Sequence, residues 1–219
     1  MPNENIERLD EKINNGREYR NTKDFEIRKT EDDKLKVVSG YASTFDDPYL
    51  LYDWGDYKVY EKIDRHAFDD CDMGDVIMQY DHEGRVFARK SNNTLVVRTD
   101  DHGLYIEADL GGTAIGNQLY EEIAGGYTNK MSFGFRVAED KREVTEDYEN
   151  NVTTVMRTIT KISKLYDVSA VSLPANDATE ISARSFCNGL IAELQAERLE
   201  AEKRKKHIQK IKLLLEATK

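Results

Sequence analysis

The sequence predicts a mainly β (α+β) fold, namely a closed or partly open β-barrel with a few helices and a C-terminal amphipathic helix. Short segments rich in β-branched and aromatic residues recur between Gly, Asp and Asn turns from residue 35 to residue 173. One segment among them has the period of a helix, and helical periodicity replaces strand alternation beyond residue 186. Several short strands with one helix among them are typical of a barrel or sandwich.

The strands are predicted from β-branched and aromatic residues and from two-residue alternation. They cover residues 35–45, 76–80, 94–99, 104–110, 131–137, 153–162 and 165–173. The Gly-containing turn 100–103 joins two of them into a hairpin, and Pro174 ends the last. Residues 46–74 read as a long loop with one short helix near 64–70, and the charged residues 139–151 read as a loop or hairpin tip.

Two segments have helical periodicity. Ile115, Leu119 and Ile123, spaced at i, i+4 and i+8, mark one face of a helix that ends at Gly125-Gly126. From residue 186 onward, eight Lys and Arg stand against five Asp and Glu, a net charge of +3 on an amphipathic segment. Such a basic helix on an acidic β domain is typical of a docking element, and a solvated extension without a special role is an equal alternative.

Three domains are expected along the chain. A charged arm covers residues 1–33 and is read as loose chain or a short docked helix. The β domain covers residues 34–185, and the basic helical tail covers residues 186–219.

The composition argues against several classes of function. The net charge of −10 disfavours nucleic-acid binding, because phosphate contacts need clustered Lys and Arg. No apolar run is long enough to cross a membrane, and the first residues lack the apolar core of a secretory signal, so a cytoplasmic protein is expected. Cys71 and Cys187 are expected as free thiols, and neither belongs to a CxxC pair of a zinc site.

Ser132 is the first candidate for chemistry. It lies on the polar side of the alternating segment 131–137, and Gly134 on the same side leaves room beside its hydroxyl. A nucleophile needs such a rigid and approachable mount. A serine at this kind of position is nevertheless more often a polar filler on the wet face of a strand.

His82 and Asp167 are the other candidates. His82 follows a predicted strand and precedes a Gly turn, which suits a general base, with a surface turn histidine as the alternative. Asp167 interrupts an apolar strand, and a buried carboxylate needs a partner. That partner is a histidine or a structural cation such as Arg157, and the sequence favours neither.

A metal or nucleotide cofactor has no support in the sequence. Asp81, His82 and Glu83 are consecutive, so their side chains point to alternate sides of an extended chain, and there is no HExxH pattern or phosphate-binding glycine loop. No cofactor is therefore expected. A metal-assisted hydrolase that uses His82 with Asp81 or His102 is a weaker alternative.

Several short motifs follow one another in a fixed order. They are GYASTF at 40–45, YEKI at 60–63, AF at 67–68, DH at 81–82, GR at 84–85, TL at 94–95, DHGL at 101–104, MSFGF at 131–135, DVSAV at 167–171 and PA at 174–175. Over residues 35–185 the chain thereby resembles the prohead proteases of tailed phages, serine peptidases that share a fold with herpesvirus assemblin.

The resemblance implies an assemblin-like serine protease domain over residues 34–185. It implies that Ser132 is the nucleophile, His82 the general base and Asp167 the third member of the site. Many relatives have Glu at the position of Asp167, so this chain departs with a shorter carboxylate. The order His, Ser, Asp is one that convergent triads allow. The oxyanion hole is expected from backbone N–H groups, with Gly111-Gly112 and Gly125-Gly126 as candidates.

The resemblance also implies a role. The expected substrates are the major capsid protein precursor with its scaffolding segment, and the protease itself. The expected place is the assembling procapsid in the host bacterial cytoplasm, without nucleic-acid or membrane partners, and a homodimer is implied by analogy with assemblin. A catalytically inactive capsid-assembly or scaffolding protein on a protease-like fold is the alternative.

Overall fold

A computed structural model describes residues 16–24, 26–28, 36–172 and 177–216, and the described chain is mainly β with two α-helices. The strands are β1 (Glu18–Asp24), β2 (Glu26–Arg28), β3 (Val37–Thr44), β4 (Tyr49–Asp53), β5 (Tyr57–Ile63), β6 (Ile77–Tyr80), β7 (Glu83–Arg89), β8 (Leu95–Thr99), β9 (Gly103–Asp109), β10 (Lys130–Asp147) and β11 (Val152–Val171). The helices are α1 (Ala114–Ala124) and α2 (Asp177–Glu216), and a short 3-10 turn covers Lys90–Asn92.

The strands form two sheets. The larger sheet has seven strands. Five follow the order β1-β10-β11-β5-β4, and β6 pairs with both β11 and β7. Strand β11 pairs in parallel with β5 over residues 153–159 and with β6 over residues 167–170. The second sheet has the order β2-β3-β9-β8. The predicted mainly β fold with a C-terminal helix is confirmed, and pairing among the described strands closes no barrel.

The apolar core takes side chains from both sheets and from α1. Fully buried members include Phe133, Phe135, Met78, Ile106 and Leu119. Because side chains alternate along β10, its core stripe of Met131, Phe133 and Phe135 leaves Ser132 and Gly134 on the opposite face. The packing of that stripe fixes the strand that carries Ser132.

Several predicted elements are confirmed with shifts of a few residues. Strands occur at 37–44, 77–80, 95–99 and 103–109, and the last two of these form the expected hairpin. Helix α1 begins after Thr113, whose side chain accepts a hydrogen bond from the Gly116 N–H at 3.0 Å, and it ends at Gly125 as predicted.

The predicted loop over residues 46–74 is wrong, because it contains β4 and β5. Strand β5 alternates between buried and half-buried residues, but one of its buried residues is Glu61, and the charge hid the pattern. The helix predicted near 64–70 is also wrong. Successive N–H groups there donate to the carbonyl three residues earlier, as Ala67 does to Asp64 and Asp69 to His66, which makes turns.

Strands β10 and β11 form one long hairpin, whereas a charged loop or hairpin tip at 139–151 and two separate later strands were predicted. The ladder continues to Asp147 and Val152, and residues 148–151 form the turn between them. The last residues of β10 are charged and exposed on both faces, so the sequence shows no alternation of apolar and polar residues there. Backbone hydrogen bonds pair this part of the strand, and they leave no pattern in the sequence.

The described part of the N-terminal segment contains strands where a loose arm or a short docked helix was predicted. Residues 18–24 pair antiparallel with β10, and residues 26–28 pair with β3, whereas residues 1–15 and 29–33 lie outside the described residues. The chain divides into two compact units, residues 1–183 and 184–219. None of the described helices is both long enough and apolar enough to span a membrane. The domain limits predicted from the sequence stay predictions.

A buried network of ion pairs anchors β1. The guanidinium of Arg20 binds both carboxylate oxygens of Glu61, at 2.5 and 2.8 Å. Arg157 binds Glu61 at 2.8 Å, Glu18 at 2.7 Å and Asp140 at 2.7 Å. Burial alone would raise the pKa of Glu18, but the Arg20 and Arg157 charges lower it to about 2.

We expect this network to make the fold acid-labile. The pKa of Glu18 lies below its unfolded value, so its contribution is complete above about pH 5 and is lost as the pH falls through the folded value. The fall from 4.5 to about 2 corresponds to roughly 3 kcal/mol of unfolding free energy. Urea unfolding at several pH values between 7 and 2 measures this loss.

The variant Glu18→Gln should be less stable than the wild type at pH 7 and should lose less stability on acidification. Glu143→Gln, at an exposed position of β10, is the matched control and should follow the wild type. Parallel pH profiles for Glu18→Gln and the wild type would contradict the expectation.

Candidate active site

Ser132 lies on β10, an interior strand of the seven-stranded sheet between β1 and β11. Its partners across the ladder are Asn21 on β1 and Ser169 on β11. The residue is fully buried, and its side chain lies on the face opposite the Phe133 core stripe. Pairing on both sides together with core packing gives the hydroxyl the rigid mount that a nucleophile needs.

His82 occupies a two-residue turn between β6 and β7. Tyr80 pairs with Glu83, and the two residues between them have positive φ, 47° at Asp81 and 60° at His82. Positive φ at both central positions is the requirement of a type I′ hairpin turn. For residues other than glycine this conformation is uncommon and occurs where the surroundings impose it.

Contacts of Asp81 hold this turn against the end of β11. The Asp81 N–H donates to the Ala170 carbonyl at 2.9 Å. Its carboxylate accepts from the Ser172 N–H and from the Ser172 hydroxyl, both at 3.0 Å. These bonds fix the position from which the His82 side chain extends.

The three candidates lie in one line of contacts. His82 Nε2 lies 2.6 Å from Ser132 Oγ, and His82 Nδ1 is hydrogen-bonded to Asp167 Oδ1. All three residues are fully buried. The contact with Asp167 is direct, so the shorter carboxylate reaches the imidazole without a bridging group. Residues separated by 50 and 35 positions in the sequence meet here because β10, β11 and β6 are neighbours.

Local backbone features bring the Asp167 carboxylate close to the imidazole. Asp167 pairs with Gly134, and a Cβ atom at residue 134 would lie 2.6 Å from Asp167 Oδ2. The register then shifts, because Phe135 pairs with Leu165 and Tyr166 is left as an extra residue. A β-bulge beside a site redirects the neighbouring side chains.

The charge of Asp167 is compensated on both sides. Burial opposes ionisation, but His82 and the Arg17 guanidinium hold the pKa of Asp167 below its usual range, helped by a 3.1 Å hydrogen bond from Ser169. Arg17 Nη2 lies 3.6 Å from Oδ2. The sequence left Arg157 open as the partner of Asp167, but Arg157 binds the Glu61 network instead.

Sequence reasoning missed Arg17, Tyr19 and Ser169. The ring of Tyr19 is buried, and its centroid lies 4.4 Å from that of His82. No periodic signal marks Arg17 and Tyr19, because Tyr19 is the one aromatic or aliphatic residue between positions 17 and 22. Ser169 follows Asp167 at the two-residue spacing of one strand face, and this spacing does indicate a common side.

The other sequence candidates lie away from this line of contacts. The ring of His102 packs on Tyr41 with centroids 4.4 Å apart, and exposed His66 pairs with Asp69 at 3.1 Å. Among the described residues, no group of three or more His, Cys, Asp or Glu side chains is arranged to hold a metal ion.

Three of the four glycine N–H groups named as oxyanion donors already have acceptors. Gly111 donates to the Asp109 carboxylate, Gly125 to the Glu121 carbonyl and Gly126 to the Ile123 carbonyl. Two of these bonds close the end of α1, so they belong to the helix terminus and not to the site.

Comparison with known proteins agrees with the geometry. A family model for the caudovirus prohead serine proteases matches residues 23–190, which include Ser132, His82 and Asp167. The chain belongs to the caudovirus prohead serine protease family. Membership implies a serine protease role in phage maturation, with capsid protein as the substrate. The implied place of action is the procapsid in the host cytoplasm. No curated protein and no solved structure matches the chain.

A cleft of about 810 Å³ borders the turn that carries His82. Its lining includes Tyr80, Asp81, Glu83, Ile115, Leu119 and Glu122. The cleft therefore combines apolar side chains with carboxylates, and it is large enough for side chains of a bound peptide.

We expect Gly134→Ala to disrupt the His82–Asp167 hydrogen bond. The added Cβ would lie 2.6 Å from Asp167 Oδ2 and 2.9 Å from Tyr19 Cε1, so the carboxylate must move. Proton NMR measures this change, because an Nδ1–H donated to a buried carboxylate gives a separate downfield resonance. The signal should shift or disappear in Gly134→Ala.

Gly112→Ala is the matched control, because a Cβ at residue 112 meets no atom within 4 Å. His82→Ala assigns the resonance by removing it. An unchanged resonance in Gly134→Ala would mean that the close approach at residue 134 does not hold the carboxylate.

Proposed function

We propose that this prohead protease is a serine endopeptidase with Ser132 as nucleophile, His82 as general base and Asp167 as the group that orients His82. The observation that carries the proposal is the continuous series of contacts Ser132–His82–Asp167. The same arrangement of hydroxyl, imidazole and carboxylate performs acyl transfer on unrelated folds, where it is recognised by geometry.

In the proposed reaction, Ser132 Oγ attacks the carbonyl carbon of a peptide bond while His82 Nε2 takes the hydroxyl proton. Asp167 holds the imidazole through Nδ1 and stabilises its charged form. The tetrahedral intermediate collapses with cleavage of the C–N bond, and His82 gives the proton to the leaving amine. A water molecule, deprotonated by His82, then releases the acyl group from Ser132.

The proposed substrates are the major capsid protein precursor with its scaffolding segment, and the protease itself. Family membership supports capsid protein as the substrate, and the cleft beside His82 supports the binding of an extended peptide. We also propose, by analogy with assemblin, that the two sheets correspond to an assemblin-like barrel and that the protein acts as a homodimer.

The burial of Ser132 supports a closed state before substrate binding. No part of the residue is exposed, so a peptide carbonyl reaches Oγ only after a covering group has moved. The same observation favours the alternative, in which the chain is a catalytically inactive assembly protein on a protease-like fold. An experiment on turnover separates the two.

We expect Ser132→Ala to abolish cleavage. Loss of the nucleophile in a serine protease typically reduces turnover by about four to six orders of magnitude. Wild type and variant are each incubated alone and with the capsid precursor, and intact mass is recorded. Fragments that form only with the wild type identify the enzyme and its cleavage sites.

Ser91→Ala, at an exposed position, is the control and should cleave like the wild type. Equal cleavage by Ser132→Ala would reject the assigned nucleophile. Absence of cleavage with all three proteins, together with retained binding of the precursor, would favour the assembly protein.

A further inference from the structure

We propose that strand β1 is a permanent wall of the active site and that Arg17 and Tyr19 are positioning residues, Arg17 for Asp167 and Tyr19 for His82. This inference rests on the proposed protease function and deepens it. Both residues precede the part of the chain that matches the family, residues 23–190.

The case for Arg17 begins with the Asp167 carboxylate. Oδ1 accepts from His82 and Ser169, whereas within the described residues Oδ2 has no hydrogen-bond partner. The cation near Oδ2 is Arg17, at 3.6 Å. A fully buried anion needs such compensation, and without it the neutral acid is favoured.

Arg17 is itself held in place. Its guanidinium carbon lies 3.8 Å from the ring centroid of Tyr166, the extra residue of the β11 bulge, and 5.9 Å from that of Tyr19. Cation–π attraction to these faces fixes a long side chain whose entropy would otherwise oppose a defined position. The bulge thus serves Asp167 and its counter-ion together.

The case for Tyr19 rests on how its ring packs against its neighbours. Its buried ring lies against His82, and its Cε1 comes within 2.9 Å of where a Cβ of Gly134 would be. The ring therefore fills the volume between β10 and the imidazole, so His82 cannot tilt away from Ser132. Burial raises the pKa of Tyr19 to about 12, and the phenol stays neutral beside the charge that His82 gains in the reaction.

The anchoring of β1 distinguishes a wall from a removable cover. On the strand face opposite Tyr19, Glu18 and Arg20 enter the buried network with Glu61 and Arg157. Breaking a buried ion pair leaves an uncompensated charge and is strongly destabilising. A strand held this way is not suited to leave during each turnover, and self-cleavage that preserves activity is expected before Arg17.

The test measures the rate at which a fluorophosphonate acylates Ser132 across a range of pH, in the full chain. This probe reports an activated serine without knowledge of the preferred peptide. Tyr19→Ala should lower the rate about a hundredfold, because His82 loses its packing. Tyr19→Phe keeps the ring and should restore the rate. Tyr127→Ala, at a position that is 83% exposed, is the matched control.

Arg17→Ala should move the acidic limb of the pH–rate profile upward by roughly half to one pH unit, because a positive charge near the imidazolium is removed. Arg17→Lys should bring the limb back. Among the described residues, the groups beside the His82–Asp167 pair include Tyr19 from β1, Ser132 from β10 and Ser169 from β11, and the Glu83 carboxylate on β7 acts on Tyr19. None of these is changed in the Arg17 variants, and Arg65→Ala is the exposed control.

A higher acylation rate in Tyr19→Ala would overturn the proposal, because β1 would then be an inhibitory cover. Unchanged rates and profiles in correctly folded Tyr19→Ala and Arg17→Ala would overturn it as well. If the wild type is not labelled at Ser132, the proposed protease function fails. The downfield resonance of His82 Nδ1–H then tests, independently of activity, whether Tyr19 holds His82 in position. An unchanged resonance in Tyr19→Ala would then reject the positioning role.

Discussion

The candidate active site is built around one constraint, which is the negative charge of the fully buried Asp167. A carboxylate in that position needs donors and cations, and the chain provides His82, Ser169 and Arg17 from three different elements. Glycine at residue 134 and the bulge after it let the Asp167 side chain reach the imidazole directly.

Strand β11 connects most of these features. It carries Asp167, pairs with the Ser132 strand along one edge, and aligns β6 and hence the His82 turn along the other. Its N-terminal half carries Arg157, which joins the network that anchors β1. One strand therefore links the site to the N-terminal segment, so the stability of the ion network and the geometry of the site are physically connected.

Charged side chains are buried in one part of this acidic chain and exposed to solvent in another. Glu18 and Arg20 lie in a segment that reads as a solvated arm, yet their charges are paired inside the protein. The equally charged residues 141–147 of β10 are exposed on both faces of the strand. Net charge decides neither case, because partners distant in the sequence determine whether a charged side chain is solvated or paired.

The sequence by itself determined the β class, the β8–β9 hairpin, helix α1, the tail helix and the three site candidates, because alternation, helical period, turn glycines and motif order are local signals. It did not reveal β4, nor β1 and β5, in which Arg20 and Glu61 respectively interrupt the apolar pattern. It also left the partner of Asp167 undecided between a histidine and Arg157. Only the tertiary structure decided that pairing and added Arg17 and Tyr19, since contacts between distant strands depend on register and sheet order, which no local pattern contains.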